Sequence, residues 1–139
     1  MTTKKHTATL LILMLAGLTG LVQAQMSTMV KAQVPFAFVA NGNKMPAGEC
    51  TIAIDVNGGT LLSISSGAQH AFVVPIADVS PNPLKKTALV FHRYGDQYFL
   101  IGIKHGGGTG YQLPPSRLER ELQARNLVEE VVTLLASAN

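Results

Sequence analysis

The residues predict a mainly β fold: an antiparallel β-sandwich or barrel of about seven or eight short strands, with one C-terminal helix followed by a final strand. Three observations carry this. Apolar and polar residues alternate with period two over short runs. Turn signals recur about every ten residues, too often for alternating β and α units. A single strong helix-start signal, Pro114-Pro115-Ser116-Arg117-Leu118-Glu119, stands late in the chain.

The elements follow in order. Val34, Phe36 and Phe38 alternate with smaller or polar neighbours and run to Asn41-Gly42, a hairpin signal. Cys50, Ile52, Ile54 and Val56 alternate with Thr51, Ala53 and Asp55 up to Asn57-Gly58-Gly59, an apolar-in, polar-out pattern. Leu62 and Ile64 precede Ser65-Ser66-Gly67. Phe72, Val74 and Ile76 then form a further strand, which Pro75 pushes toward an edge or an early end. Ser80-Pro81-Asn82-Pro83 is a loop.

Ala88 to Tyr94 and Gln97 to Ile103 form a hairpin across Gly95-Asp96, with Arg93 opposite Tyr98, His92 opposite Phe99, Phe91 opposite Leu100 and Val90 opposite Ile101. Both of its faces are apolar. Leu89, Phe91 and Leu100 share one side, and Val90, Phe99, Ile101 and Ile103 the other, so both sides need a cover: a facing sheet and the helix. In that helix Ser116 caps the first turn and Glu119 returns the bond. Leu118 and Leu122 lie on one face, whereas Leu127, Val128, Val131, Leu134 and Leu135 fall opposite them. The helix therefore ends near Arg125 or Asn126, and 128–135 reads as a final strand rich in β-branched residues, with a second helix of shifted phase as the alternative.

Residues 1–24 have the layout of a cleaved signal peptide: Lys4 and Lys5, an uncharged apolar run from Leu10 to Val22, and small residues at Val22-Gln23-Ala24. That run is shorter than the roughly twenty residues that span a bilayer. Export is therefore expected, to the periplasm or outside the cell. Cleavage after Ala24 leaves residues 25–139, one β-rich domain of 139 − 24 = 115 residues. Loss of Lys4 and Lys5 takes the formal charge from +3 to +1, so charge gives no support to a nucleic-acid partner. Cys50 is the single cysteine, which excludes an internal disulfide and leaves stability to packing.

Four blocks carry a family resemblance. Val34-Pro35-Phe36-Ala37-Phe38, Met45-Pro46-Ala47-Gly48-Glu49, Leu89 to Leu100 and Leu113 to Leu122 resemble the successive blocks of an uncharacterised family of small secreted bacterial β-proteins, over most of the chain after the leader. The family's first block more often carries an acid where Ala37 stands, and an aromatic residue where Cys50 stands. The resemblance implies export and a β-rich fold, and brings no assigned activity.

No catalytic constellation is legible. His70, His92 and His105 lack the short spacing of zinc ligands, and one cysteine cannot supplement them, so no metal or cofactor is expected. No Gly-x-Ser-x-Gly elbow is present. Glu49 and Asp96 are a carboxylate pair that nothing in the spacing brings together. Gly106-Gly107-Gly108-Thr109-Gly110 lacks the Lys-Ser/Thr of a phosphate loop and reads as a flexible connector. Cys50, on the apolar side of a strand, reads as an inert buried thiol. Arg93 opposite Tyr98 reads as a cation–π support.

The expected function is that of an exported non-enzymatic β-domain, a binding or structural module whose partner is an envelope or extracellular protein or glycan. Two alternatives stand beside it. One is a small secreted hydrolase using His92 with an acid such as Asp96, and the other a small-molecule carrier with a barrel cavity.

Overall fold

The computed structural model describes residues 27–127 and 129–139. The leader, its cleavage site and Val128 lie outside the described residues. The strands are β1 (Thr28–Val34), β2 (Phe38–Ala40), β3 (Asn43–Met45), β4 (Gly48–Asp55), β5 (Leu61–Ser66), β6 (Gln69–Val73), β7 (Ile76–Asp78), β8 (Ala88–Tyr94), β9 (Gln97–Lys104), β10 (Gly110–Gln112), β11 (Glu130–Leu135) and β12 (Ser137–Ala138), with one helix, α1 (Arg117–Ala124). They form two sheets. The first has five strands in the order β12-β1-β4-β5-β6, and the second runs β11-β8-β9-β10-β7 with the β2–β3 hairpin attached to β9.

The fold class is the one the sequence predicts, mainly β, and among the described residues there is one helix with a strand after it. The strand number among them is twelve rather than seven or eight. The surplus lies in pieces of two or three residues, such as β3, β7, β10 and β12, which are too short for any alternation to show.

Chain crossings join the sheets at both edges. The chain leaves β6 in the first sheet through Val74-Pro75 and enters β7 in the second. It returns from β11 to β12 through Ala136, whose N–H donates to Thr87 O at 2.9 Å.

Between the sheets, Val30, Ile52, Ile54, Leu62 and Ile64 meet Leu89, Phe91, Leu100 and Ile103, all buried. The ring of Phe91 takes edge contacts from Phe36 and Phe38 at centroid distances of 5.1 and 5.4 Å. On the outer side of the second sheet a smaller cluster of Tyr94, Phe99 and Leu122, with Val39 and Ile101 against it, seats α1 on the β8–β9 hairpin. Both covers expected for this hairpin are therefore present.

Four local expectations need correction. Val34 and Phe38 are not in one strand: the chain breaks at Pro35-Phe36, with β1 in the first sheet and β2 in the second. Proline has no N–H for the ladder, so the crossing falls there. Asn41-Gly42 does close a hairpin, but it joins β2 to β3, with the positive φ of 47° and 80° that a type I′ turn requires.

In the β8–β9 hairpin the expected pairs hold from Tyr94–Gln97 to Phe91–Leu100, after which Val90 pairs with Gly102 rather than Ile101. This bulge carries Ile103 round to the side of Leu89 and into the main core.

Phe72, Val74 and Ile76 do not share one strand: β6 ends at Val73, the early end that Pro75 predicts, and Ile76 opens β7 in the second sheet. The two-residue turn Gly67-Ala68 sets Ile64 opposite Ala71 and Leu62 opposite Val73, so Ala71 and Val73 are buried and the alternate residues point to solvent. A one-residue change of register exchanges every side chain between faces. Finally, Gly106 to Gly110 is an ordered hairpin loop rather than a flexible connector. His105 N–H donates to Thr109 O at 3.0 Å, and Gly108 N–H to His105 O at 3.2 Å.

Candidate functional site

His92 lies at the centre of the densest polar cluster. It stands on β8, on the face that carries Tyr94 and pairs with Val131 of β11. Its Nδ1 lies 2.9 Å from Glu119 Oε1, and its Nε2 lies 2.9 Å from Glu129 Oε1. Tyr94 OH donates to Glu129 Oε2 at 3.1 Å and accepts from Gln123 Nε2 at 3.1 Å. One strand, one helix and the segment before β11 thus converge on a single imidazole.

Glu119 reaches this cluster through the helix start. Ser116 Oγ accepts the N–H of Glu119 at 3.2 Å, as its capping position predicts. The Glu119 side chain turns to His92 instead of closing a capping box, and it is only 3% exposed. A buried carboxylate needs such a partner, because removal from water costs several kcal/mol if uncompensated.

The arrangement resembles half of a catalytic triad, a histidine held by a buried acid. Yet Glu129 occupies the second ring nitrogen, so neither nitrogen is left to take a proton from a substrate. Nor does a hydroxyl nucleophile stand against the ring, since Tyr94 OH is engaged by Glu129 and Gln123. The cluster is chemically saturated, and it works as a latch that ties α1 and the approach to β11 onto the hairpin. Burial pushes the Tyr94 phenol above its ordinary pKa, which keeps it a neutral donor.

Asp96, the acid proposed for His92, sits in the exposed turn. It lines a cleft of about 430 Å³ with Phe38, Lys44, Met45, Tyr98 and Leu118. The carboxylates that reach His92 are Glu119 and Glu129. Sequence reasoning missed both, although Glu119 and Leu122, three apart on a helix, share the face that packs inward.

The other singled-out residues have structural places. Cys50 is fully buried, and desolvation lifts its thiol to about 11, so it is inert toward nucleophilic chemistry. Glu49 is exposed on β4. The Arg93 guanidinium lies 5.4 Å from the centre of the Tyr98 ring, which stacks on Phe36 at 3.7 Å. His70 is exposed, while His105 packs edge-on to Tyr111 and is held below its ordinary pKa by desolvation. Among the described residues no group of three or more His, Cys, Asp or Glu is placed to hold a metal ion, and no helix is long and apolar enough to cross a membrane. Side chains fill the space between the sheets, and a cleft of about 560 Å³ beside Asn43, Lys44 and Pro46 opens at the surface.

A second polar knot ties the β7 edge. Lys104 on β9 bonds Asp78 and Ser80, and Ser80 donates from Oγ and N–H to Asp78 Oδ1 at 2.6 and 2.9 Å. The Lys104 and Ser80 hydrogen bonds hold the Asp78 carboxyl near 2, below its ordinary 3.8. A carboxyl depressed on folding stabilises above its unfolded pKa and loses that contribution as pH falls through the folded value. Wild type is therefore expected to exceed Lys104→Met in stability by about 1 kcal/mol at pH 6, allowing for solvent screening. The gap is expected to close between pH 4 and pH 2 as Asp78 protonates. Urea denaturation across that range checks it, and a gap unchanged at pH 2 would refute it.

No family model, curated protein or solved structure matches the chain.

Proposed function

We propose that this chain is an exported, non-enzymatic β-domain that acts as a binding or structural module and engages a protein partner through its outer surface. The observation that carries the reading is the outward stripe along the β6–β7 crossing. Phe72, Val74 and Ile76 are 60%, 71% and 58% exposed, on consecutive outward positions of one segment. Single exposed apolar residues are ordinary, but three large ones in a row mark a contact surface.

Two further features of the sequence support the reading. One is the leader at residues 1–24, and the other is the set of blocks that resemble small secreted β-proteins. Aliphatic Val74 and Ile76 beside Phe72 suit a protein better than a glycan, whose recognition needs polar groups beside the ring.

A pull-down from the native envelope fraction, with the processed chain as bait, tests it. Wild type is expected to capture one stoichiometric protein, and Phe72→Ser/Val74→Ser to lose at least nine-tenths of it. Equal capture by both baits would refute the stripe as the binding surface.

A further inference from the structure

Among the described residues five strand edges bound the two sheets, and four of them are short or blocked. β12 has two residues, and β7 and β3 three each. β6 is followed by Pro75, and its Phe72 carbonyl already accepts from Asn41 Nδ2 at 2.8 Å. β11 is the exception. It has six residues, Glu-Val-Val-Thr-Leu-Leu, without proline, lysine or bulge, and among the described residues it is paired on one side only, to β8. Natural edges are usually shortened, charged or covered, because a bare one templates another strand.

The backbone polarity of this edge follows from one bond. Ala136 N–H donates to Thr87 O, so the groups of Ala136, Leu134 and Val132 face β8, and those of Val131, Thr133 and Leu135 face away. The side chains there are also uncovered. Val131 and Leu135 are 60% and 58% exposed, and Val132 and Leu134, which pack on the main core, stay only partly buried.

We infer that the β11 edge pairs antiparallel with β11 of a second copy of this chain, about a two-fold axis through Thr133. Registers that set the outward residues Val131, Thr133 and Leu135 opposite one another keep each sheet face continuous, and among them this one alone pairs the whole of Val131–Leu135 with itself. Thr133 then meets Thr133 of the other copy, Val131 meets Leu135 twice on one face, and Val132 meets Leu134 twice on the other. Every apolar residue of the strand faces an apolar partner. Glu130 falls opposite Ala136, so no carboxylate meets a carboxylate. A heterologous peptide would gain the backbone bonds but has no stated reason to match both faces, whereas β11 matches itself on both. The surface is separate from the Phe72 stripe, and the inference stands without that reading.

Sedimentation velocity on the processed chain over a concentration series tests this. The account expects a two-chain species that grows with concentration, and a single chain for Thr133→Pro with unchanged circular dichroism. The Thr133 N–H points away from β8, so proline there removes no bond within the fold. If Thr133→Pro fails to fold, Val131→Lys/Leu135→Lys replaces exposed side chains only and sets like charges opposite each other. It is expected to be monomeric. Thr133→Cys is expected to cross-link its own copies under oxidation, since the paired Cα atoms lie within disulfide reach at about 5.5 Å. A wild type that stays single-chain throughout would overturn the inference. So would a two-chain species that survives a folded edge variant, or a two-chain species in which Thr133→Cys does not cross-link.

Discussion

Phe91→Ala is expected to lower the free energy of unfolding by about 3–5 kcal/mol. Phe91 is fully buried where the two sheets meet, with Phe36 and Phe38 edge-on to its ring. Truncation removes the transfer free energy of the ring and leaves a void that three elements must collapse to fill. Such edge-to-face pairs add about 0.5–1.5 kcal/mol beyond area. For a domain whose total stability is about 5–15 kcal/mol, this loss is a large fraction. Urea denaturation measures it, with Phe72→Ala as the internal comparison: Phe72 is outward on β6 and its truncation should change stability by no more than about 0.5 kcal/mol. A loss below about 1 kcal/mol for Phe91→Ala would mean that the sheets do not pack on this ring.

His92→Leu is expected to cost about 2–4 kcal/mol, because it leaves the Glu119 carboxylate buried without its partner. The double variant His92→Leu/Glu119→Leu is expected to recover most of that loss. An apolar pair of similar volume replaces an ionisable one beside Tyr94, Phe99 and Leu122. The coupling is thus expected to be strongly non-additive, as it is for groups in direct contact. A catalytic histidine gives another pattern, with little effect on stability and no rescue by the second substitution. Chemical denaturation of the two single variants and the double variant separates the cases. Absence of recovery in the double variant would refute the latch.

The sequence exposed whatever local chemistry dictates. Gly95-Asp96 fixed the hairpin between β8 and β9, since Gly95 takes the positive φ of 60° that a tight turn requires. Cys50, Ile52 and Ile54 are inward and Asp55 outward, as alternation predicts, whereas Val56 falls beyond the end of β4 and is exposed. Ser116 caps α1, and the residues after the helix form a strand rather than a second helix.

What it hid depends on pairing between distant segments. The bulge beside Val90 is invisible to alternation, and so Ile103 was placed on the wrong side. Phe72, Val74 and Ile76 have the spacing of one strand, yet the β5–β6 register turns Phe72 outward, and the chain crosses to the second sheet before Ile76. The pairing of His92 with Phe99 is legible in the hairpin, but its acids stand 27 and 37 positions away. Asp96 was suggested by nearness in sequence, which is a poor guide when a sheet brings remote segments together.

The central claim is that the chain works through its outer surface and that its most chemical-looking cluster is structural. Quantitative capture of the proposed protein partner, measured side by side on two folded variants, tests this most directly. The account predicts that His92→Leu/Glu119→Leu captures as much as wild type and that Phe72→Ser/Val74→Ser captures almost none. Loss of capture in the latch variant with retention in the stripe variant would contradict it.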